Sequence, residues 1–161
     1  MLTTEEKSEI DIEVAKYEYK QGACLEALTI VQHHRGWVSD ESLKEIAVYL
    51  EMSPAELDSI ATFYNLIFRR PVGKNVIRIC DSVSCWIKGY EDIREKIRQH
   101  LGIDLGQTTV DNSFTMVPNQ CLGCCDHAPA LMINDDLYGD LDPQKIGDIL
   151  EKHQSQVSQT H

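Results

Sequence analysis

Long apolar runs are missing from this sequence. No stretch approaches the roughly eighteen consecutive apolar residues that a membrane-spanning helix needs, so we expect no direct insertion into a membrane. The first residues, Met1 to Lys7, have neither the positive start nor the apolar core of a secretory signal. A cytoplasmic protein is therefore expected. In that compartment clustered cysteines are more often metal ligands or redox groups than structural disulfides.

Basic residues are also scarce. The chain has 15 Lys and Arg residues against 26 Asp and Glu residues, and its formal net charge of −11 argues against binding nucleic acid through phosphates. No glycine-rich motif that cradles phosphates is present, so FMN and NADH are not expected to bind this chain alone. We therefore expect no substrate site and no catalytic residue within the chain itself.

The N-terminal part of the sequence has the pattern of α-helices. Residues 1–70 show the apolar spacing of four short amphipathic helices and no strand pattern, which predicts an N-terminal helical bundle. The threonine pair at positions 3 and 4 supplies the cap of the first helix, Gly36 the stop of the second and Ser39 the cap of the third. Ser53-Pro54-Ala55-Glu56 has the pattern of a capping box and starts the fourth helix.

Three further expectations concern this helical part. We expect Tyr17 to lie on the inward face of a first helix that closes at Gly22, and Tyr64 to lie on the inward face of the fourth helix. The segment 68–74 contains proline and glycine and is interpreted as a linker. Its basic residues are expected to be solvated rather than part of a docking patch.

Beyond the linker the apolar pattern changes from helical to alternating. The predicted strands cover 76–79, 114–117, 131–133 and 137–138, and the predicted helices cover 86–100 and the residues after Asp142. The order of strand, helix, strand, strand, strand and helix is that of a thioredoxin-like domain, placed here at 75–153. The chain is therefore predicted to be α+β or α/β, with a polar tail at 154–161.

Five of the six cysteines lie in two short runs, Cys80–Cys85 and Cys121–Cys125. The first run follows one predicted strand and the second follows the next, so strands with these ends together would bring all the thiols to one edge of the sheet. Structural zinc accepts cysteines at this spacing, and so does a 2Fe-2S cluster, which needs four thiolates. A redox disulfide in the C-x-x-C part of the second run fits less well, because the first strand is followed by C-x4-C. Spacing alone leaves zinc and the cluster open.

A set of segments carries a family resemblance. They are Arg35-Gly36-Trp37-Val38, Ala61-Thr62-Phe63-Tyr64, Cys80-Asp81-Ser82-Val83-Ser84-Cys85, Gly89-Tyr90, Gly106-Gln107-Thr108-Thr109, Cys121-Leu122-Gly123-Cys124-Cys125 and Ala128-Pro129. Together they resemble the E-subunit family of bacterial NADH:quinone oxidoreductase, respiratory complex I, whose members are thioredoxin-like 2Fe-2S ferredoxins. The resemblance covers nearly the whole chain.

The resemblance implies a set of cofactor ligands. One 2Fe-2S cluster would be held by four cysteines, namely Cys80, Cys85, Cys121 and Cys125. Cys124 occupies the variable position of the second motif, and we expect it to be a small buried neighbour or a spare thiol. The sixth cysteine, at position 24, is expected to be a core residue of its helix, since free cysteine is among the most buried residue types.

The resemblance also implies a function. The chain would be an electron-transfer subunit of NADH:quinone oxidoreductase, with its cluster next to a flavoprotein subunit that binds FMN and NADH. It would then lie in the peripheral arm of the complex, at the cytoplasmic face of the inner membrane. The alternatives are the equivalent subunit of an NAD-linked hydrogenase or formate dehydrogenase, and a non-redox interaction module stabilised by zinc.

Charged and polar groups beside the cysteines bear on the redox potential. Asp81 and Asp126 each adjoin an implied ligand, and their charges would disfavour an added electron and lower the potential. Backbone N–H groups around Gly123 and at the helix start near Trp86 would oppose them. His127 is expected to be a solvated surface residue.

Overall fold

A computed structural model describes residues 1–158 of the chain. The chain divides into two compact units, Met1–Pro71 and Val72–His161. Residues 159–161, the end of the predicted polar tail, lie outside the described residues. Within the described part, no helix combines the length and the apolar character needed to cross a membrane.

The first unit is built from four α-helices and a short 3-10 turn around one apolar core. The helices are α1 (Thr4–Val14), α2 (Cys24–Arg35), α3 (Asp40–Tyr49) and α4 (Pro54–Phe63), and the 3-10 turn covers Lys20–Ala23. The fully buried side chains of the core include Ile10, Leu28, Val31, Ile46, Leu50 and Leu57. The four predicted helices are therefore confirmed.

The helices of this unit begin where the sequence supplies caps. In α1 the Thr3 hydroxyl accepts a hydrogen bond from the Glu6 N–H, and the Glu6 carboxylate accepts one from the Thr3 N–H. Ser53 and Glu56 form the same reciprocal pair at α4, with a proline in the first turn. The α2 helix ends at Gly36, whose φ of 82° is the left-handed conformation that glycine adopts without strain.

Both tyrosine expectations for this unit are wrong. The α1 helix ends at Val14 instead of running to Gly22, and Tyr17 is 42% exposed. A β-carbon on Gly22 would lie 2.7 Å from the Tyr17 ring, which shows that the chain turns back after α1 and packs Gly22 against this ring. Tyr17 therefore lies in the turn and not in a helix. Tyr64 follows the last residue of α4 with ψ 109° and is 44% exposed, because the helical face ends before it.

The basic segment after α4 is also more ordered than a solvated linker. The Arg69 guanidinium donates to the Asp58 carboxylate at 2.9 Å, to the Asp40 carboxylate at 2.6 Å and to the Val38 carbonyl. Only 19% of the Arg69 side chain is exposed. This arginine therefore ties the start of α3 to α4, while Arg70 remains exposed.

The second unit is a mixed five-stranded sheet with helices. Its elements are β1 (Asn75–Cys80), α5 (Val83–Ile87), α6 (Tyr90–Leu101), β2 (Gln107–Thr108), β3 (Phe114–Asn119), a 3-10 turn (Cys125–His127), β4 (Leu131–Ile133), β5 (Asp136–Tyr138) and α7 (Pro143–Ser158). The strand order is β2-β3-β1-β4-β5, with β1 and β3 parallel and the other pairs antiparallel. Every predicted strand is present, and the α+β class is confirmed.

The apolar core of this unit lies over the central strand β1. Ile77 and Ile79 of β1 are buried together with Ile93 and Ile97 of α6 and Ile146 of α7. Because α6 and α7 pack against each other as well, these side chains form one apolar layer over the sheet. The strand β1 is therefore paired with β3 on one edge and with β4 on the other, and is covered by this layer.

Three details of this unit differ from the prediction. The helix expected at 86–100 is two helices, because Gly89 lies between them with φ 110°. The strand β3 continues through Pro118. Because β2 pairs only with positions 115 and 116, β3 is an edge strand at the proline, where a missing N–H is tolerated. The last helix continues to Ser158, through residues assigned to the polar tail.

Candidate functional site

The parallel pair β1 and β3 brings the two cysteine runs to one edge of the sheet. Cys80 is the last residue of β1 and pairs in register with Asn119, the last residue of β3. Backbone bonds continue past the strand ends, from the Asp81 N–H to the Asn119 carbonyl at 3.0 Å and from the Cys80 N–H to the Ala130 carbonyl at 3.1 Å. Both runs therefore leave the sheet side by side, as expected.

Cys80 and Cys85 form a buried thiol pair. They are 3% and 2% exposed and pack against Ala130, because α5 starts directly after β1 and turns Cys85 back over the strand end. Burial, followed by a hydrogen bond with the Cys80 thiol, raises the pKa of Cys85 to about 12. The Cys80 thiol also lies 3.6 Å from the Gln120 carbonyl oxygen.

Cys121 and Cys125 form a second, exposed pair. Their sulfurs are 3.8 Å apart, and the Gly123 N–H donates to the Cys121 sulfur at 3.4 Å. Two thiolates bound at about 2.3 Å to one tetrahedral metal would be separated by about 3.8 Å, so this pair has the spacing of two ligands to one metal. Gly123 has φ 78°, a conformation in which the turn brings its N–H back to the sulfur.

Cys124 belongs to neither pair. It is partly buried and packs against the apolar cluster that contains Cys80 and Cys85. Burial is the main cause that raises the pKa of Cys124, with the neighbouring thiols adding to it. In the other unit, Cys24 packs against the apolar core but is only partly buried, which is less than the predicted core position, and burial raises its pKa.

The thiols thus stand as two pairs. Among residues 1–158 no group of three or more His, Cys, Asp or Glu side chains is arranged to hold a single metal ion. Four thiols in two pairs are nevertheless the donor set of a 2Fe-2S cluster, in which four thiolates serve two irons. The chemistry and number of the donors therefore fit that group.

The charged groups around the pairs lie mostly in solvent. Asp126 is 78% exposed and His127 is 60% exposed, as expected for His127. The His127 ring lies 2.7 Å from the Asp140 carboxylate through Nδ1, and that hydrogen bond raises the pKa of His127. The α5 helix begins at Val83 rather than near Trp86, so the helix start lies between Cys80 and Cys85.

Two features of the site have no counterpart in the sequence-based prediction. The first is an exposed apolar face on α5, formed by Val83, Trp86 and Ile87 next to the buried Cys85. The second is the turn between β5 and α7, Gly139–Leu141, which contacts the residues after Cys125. The sequence signal of that turn, a Gly-Asp pair before a capped helix, indicates a turn but not what the turn touches.

Comparison with known proteins places these motifs in a family. Residues 10–154 match the model of the thioredoxin-like 2Fe-2S ferredoxins. The E subunit of NADH-quinone oxidoreductase from Pseudomonas aeruginosa is 46% identical over 153 residues, which cover 95% of this chain and 92% of the relative. Its counterpart from Escherichia coli is 44% identical over 152 residues, covering 94% of this chain and 92% of the relative.

A solved structure is similar over most of the chain. The crystal structure of an NAD+-reducing NiFe-hydrogenase in the air-oxidised state matches with a TM-score of 0.72 and 27% identity. The match covers 84% of this chain but only 23% of the hydrogenase chain, so this protein corresponds to about a quarter of that chain.

Proposed function

This chain belongs to the thioredoxin-like 2Fe-2S ferredoxin family, and from that premise we propose that it is the E subunit of an NADH-quinone oxidoreductase. It carries one 2Fe-2S cluster and acts as an electron-transfer component of an oxidoreductase complex, with no substrate site of its own. The observation that carries this conclusion is the match to the Pseudomonas aeruginosa E subunit at 46% identity over 95% of the chain.

The proposed cluster ligands are Cys80, Cys85, Cys121 and Cys125. Two observations support the last of these over Cys124: the 3.8 Å separation of the Cys121 and Cys125 sulfurs, and the packing of Cys124 into the apolar cluster. A 2Fe-2S cluster accepts and returns one electron, and its thiolate ligands and their hydrogen bonds set the potential.

The chain's own residues have distinct roles around such a group. The burial of Cys80 and Cys85 keeps water from one side of the ligand set, while Cys121 and Cys125 lie at the surface. The Gly123 N–H donates to the Cys121 sulfur, and a hydrogen bond to a ligand sulfur favours the reduced, more negative state. The carboxylate of Asp126 opposes that effect from solvent.

A flavoprotein subunit that binds FMN and NADH is the proposed partner. Electron exchange requires that partner to approach the ligand residues closely. The exposed apolar face of α5 supports its approach on that side, since Val83 is 66%, Trp86 61% and Ile87 70% exposed in the same helix as the proposed ligand Cys85. Exposed apolar patches that include Trp are typical of protein interfaces. The assembly is proposed to lie at the cytoplasmic face of the inner membrane, in the peripheral arm.

A second candidate function is the equivalent subunit of an NAD-linked hydrogenase. The similarity to the NAD+-reducing NiFe-hydrogenase structure favours it, with a TM-score of 0.72. The NADH-quinone oxidoreductase relatives are more similar in sequence and match along almost their whole length, which favours the first candidate. Affinity purification of the tagged chain from its own cells distinguishes the two, because the first predicts quinone-reductase subunits and the second hydrogenase subunits in the eluate.

A further inference from the structure

The loop after Cys125 is held by a turn from a distant part of the chain. The turn Gly139–Leu141 connects β5 to α7. The Asp140 N–H donates to the His127 carbonyl at 2.6 Å, and the Leu141 N–H donates to the Pro129 carbonyl at 3.2 Å. Two backbone bonds therefore join this turn to the strip of chain that runs from the 3-10 turn at Cys125–His127 toward β4.

Gly139 makes this contact possible. A β-carbon at position 139 would lie 2.7 Å from the His127 β-carbon and 2.9 Å from the His127 carbonyl oxygen. Both distances are shorter than van der Waals contact, and neither atom is the flexible end of a side chain. Any residue larger than glycine would therefore push the backbone at His127, two residues from Cys125.

Asp140 strengthens the contact between the turn and the loop through its side chain and through its backbone conformation. Its carboxylate lies 2.7 Å from His127 Nδ1, and its carbonyl accepts a hydrogen bond from the Lys145 ammonium at 2.6 Å. Asp140 has φ 50°, the left-handed conformation that Asp, Asn and Gly accept most readily. Lys145 lies in α7, so the turn is itself fixed to a helix that packs on the core.

We propose that Gly139 and Asp140 are positioning residues for the cluster: the turn they form clamps the loop at His127 and thereby fixes the Cys125 sulfur relative to Cys121. Hydrogen bonds that orient a ligand from outside the coordination shell are a general means of holding metal sites. Here the two clamping residues are 14 and 15 positions away from Cys125 in sequence. The proposal rests on the proposed ligand set.

Gly139→Ala in the full chain tests the clamp, with Gly147→Ala as the matched control. Gly147 lies in α7, where an added β-carbon would meet nothing closer than Lys96 at 3.9 Å. We expect Gly139→Ala to release iron to a chelator about ten times faster than wild type and to shift the electron paramagnetic resonance g values of the reduced cluster. Gly147→Ala should match wild type in its rate of iron release and in its g values. Equal release rates and equal g values for the two variants would overturn the proposal.

A second pair of variants decides the question if Gly139→Ala does not fold. Asp140→Gly and Asp140→Asn both accept the left-handed backbone, but only asparagine retains an oxygen that accepts a bond from His127. Because this side-chain contact is exposed, we expect Asp140→Gly to release iron about two to three times faster, with Asp140→Asn close to wild type. Identical rates for these two variants would refute the proposed role of the Asp140 side chain in positioning the loop. Wild-type protein without any cluster would instead refute the proposed function.

Discussion

The sulfurs of Cys121 and Cys125 lie 3.8 Å apart, whereas Cys124, between them in sequence, turns into the apolar cluster around Cys80 and Cys85. The loop that leads from Cys121 to the start of the 3-10 turn at Cys125 thus pairs the two outer thiols of the motif. The relationship matters because this run contains three cysteines and the proposed ligand set uses two of them. It provides the physical basis for assigning the fourth ligand.

Substitution of the two adjacent cysteines should have opposite results. Cys125→Ala removes one thiol of the exposed pair, so we expect the cluster to be lost or its spectrum altered. Cys124→Ala removes a packing group and should leave four thiolates and a wild-type spectrum. Visible absorption measures the cluster content of each variant, and electron paramagnetic resonance of the reduced proteins gives the spectrum of each cluster. If Cys124→Ala lost the cluster while Cys125→Ala kept it, the ligand assignment would be wrong.

Substitution on the exposed face of α5 should weaken the partner complex and spare the cluster. Ile87→Glu places a charge where an apolar contact is expected, and a central interface residue of this kind is worth about 2 kcal/mol, or roughly thirtyfold in Kd. Val110→Glu is the matched control, because Val110 is a fully exposed aliphatic residue in the same unit. Binding to the proposed flavoprotein partner, in purified form, is measured for both variants, together with cluster content. Equal affinities would show that α5 is not the contact.

Acid should destabilise the helical unit through Glu6. This carboxylate is 1% exposed and accepts two hydrogen bonds from Arg35, at 2.7 and 2.8 Å, which are the main cause that lowers its pKa from an ordinary 4.5 to about 2. A lowered folded-state pKa contributes stability that is present above pH 4.5 and is lost as the pH falls toward 2. The contribution at neutral pH is about 3 kcal/mol.

The variant Glu6→Gln isolates that contribution. It should be less stable than wild type by about 3 kcal/mol at pH 7, and the difference should shrink as the pH falls below 4.5. Glu5→Gln changes an exposed carboxylate one position away and serves as the control. Urea unfolding followed by far-ultraviolet circular dichroism at several pH values supplies the data. A difference that did not change with pH would contradict the assigned linkage.

Loss of the α4 capping box should be detectable in the same assay. The Ser53 hydroxyl accepts from the Glu56 N–H at 3.3 Å, and the Glu56 carboxylate accepts from the Ser53 N–H at 3.0 Å. Ser53→Ala should cost about 1 kcal/mol of unfolding free energy. Ser59→Ala, which removes an exposed hydroxyl within the same helix, should change it by less than about 0.5 kcal/mol. If the two variants lost the same amount of unfolding free energy, the loss in Ser53→Ala would not come from the capping box.

Local sequence signals predicted the elements that depend on local chemistry. The caps at Thr3 and Ser53 and the glycine stop at Gly36 are confirmed, because each is decided by hydrogen bonds within a few residues. The strand around Ile77 was predicted for a different reason: its run of β-branched apolar residues is a local signal, although its hydrogen bonds go to the distant strands β3 and β4. The short strand β2 was missed because two residues, Gln107 and Thr108, carry no period of their own and are a strand only through pairing with β3.

The parts of the site that were not predictable depend on contacts distant in sequence. The adjacency of the two cysteine runs followed from strand order, but the clamp of Gly139 on His127 joins residues in different connections of the sheet. Arg69 was assigned to a solvated linker because its two carboxylate partners, Asp40 and Asp58, are 29 and 11 positions away. The break at Gly89 was missed because the apolar spacing continues across it.

The central claim, that the chain carries a 2Fe-2S cluster, is tested most directly on the purified protein. Iron, zinc and acid-labile sulfide are quantified, and electron paramagnetic resonance spectra are recorded before and after reduction with dithionite. We predict equal amounts of iron and sulfide, and a spectrum of a single unpaired electron that appears only after reduction. Zinc without sulfide, and no signal after dithionite, would contradict the claim and would favour a zinc-stabilised interaction module.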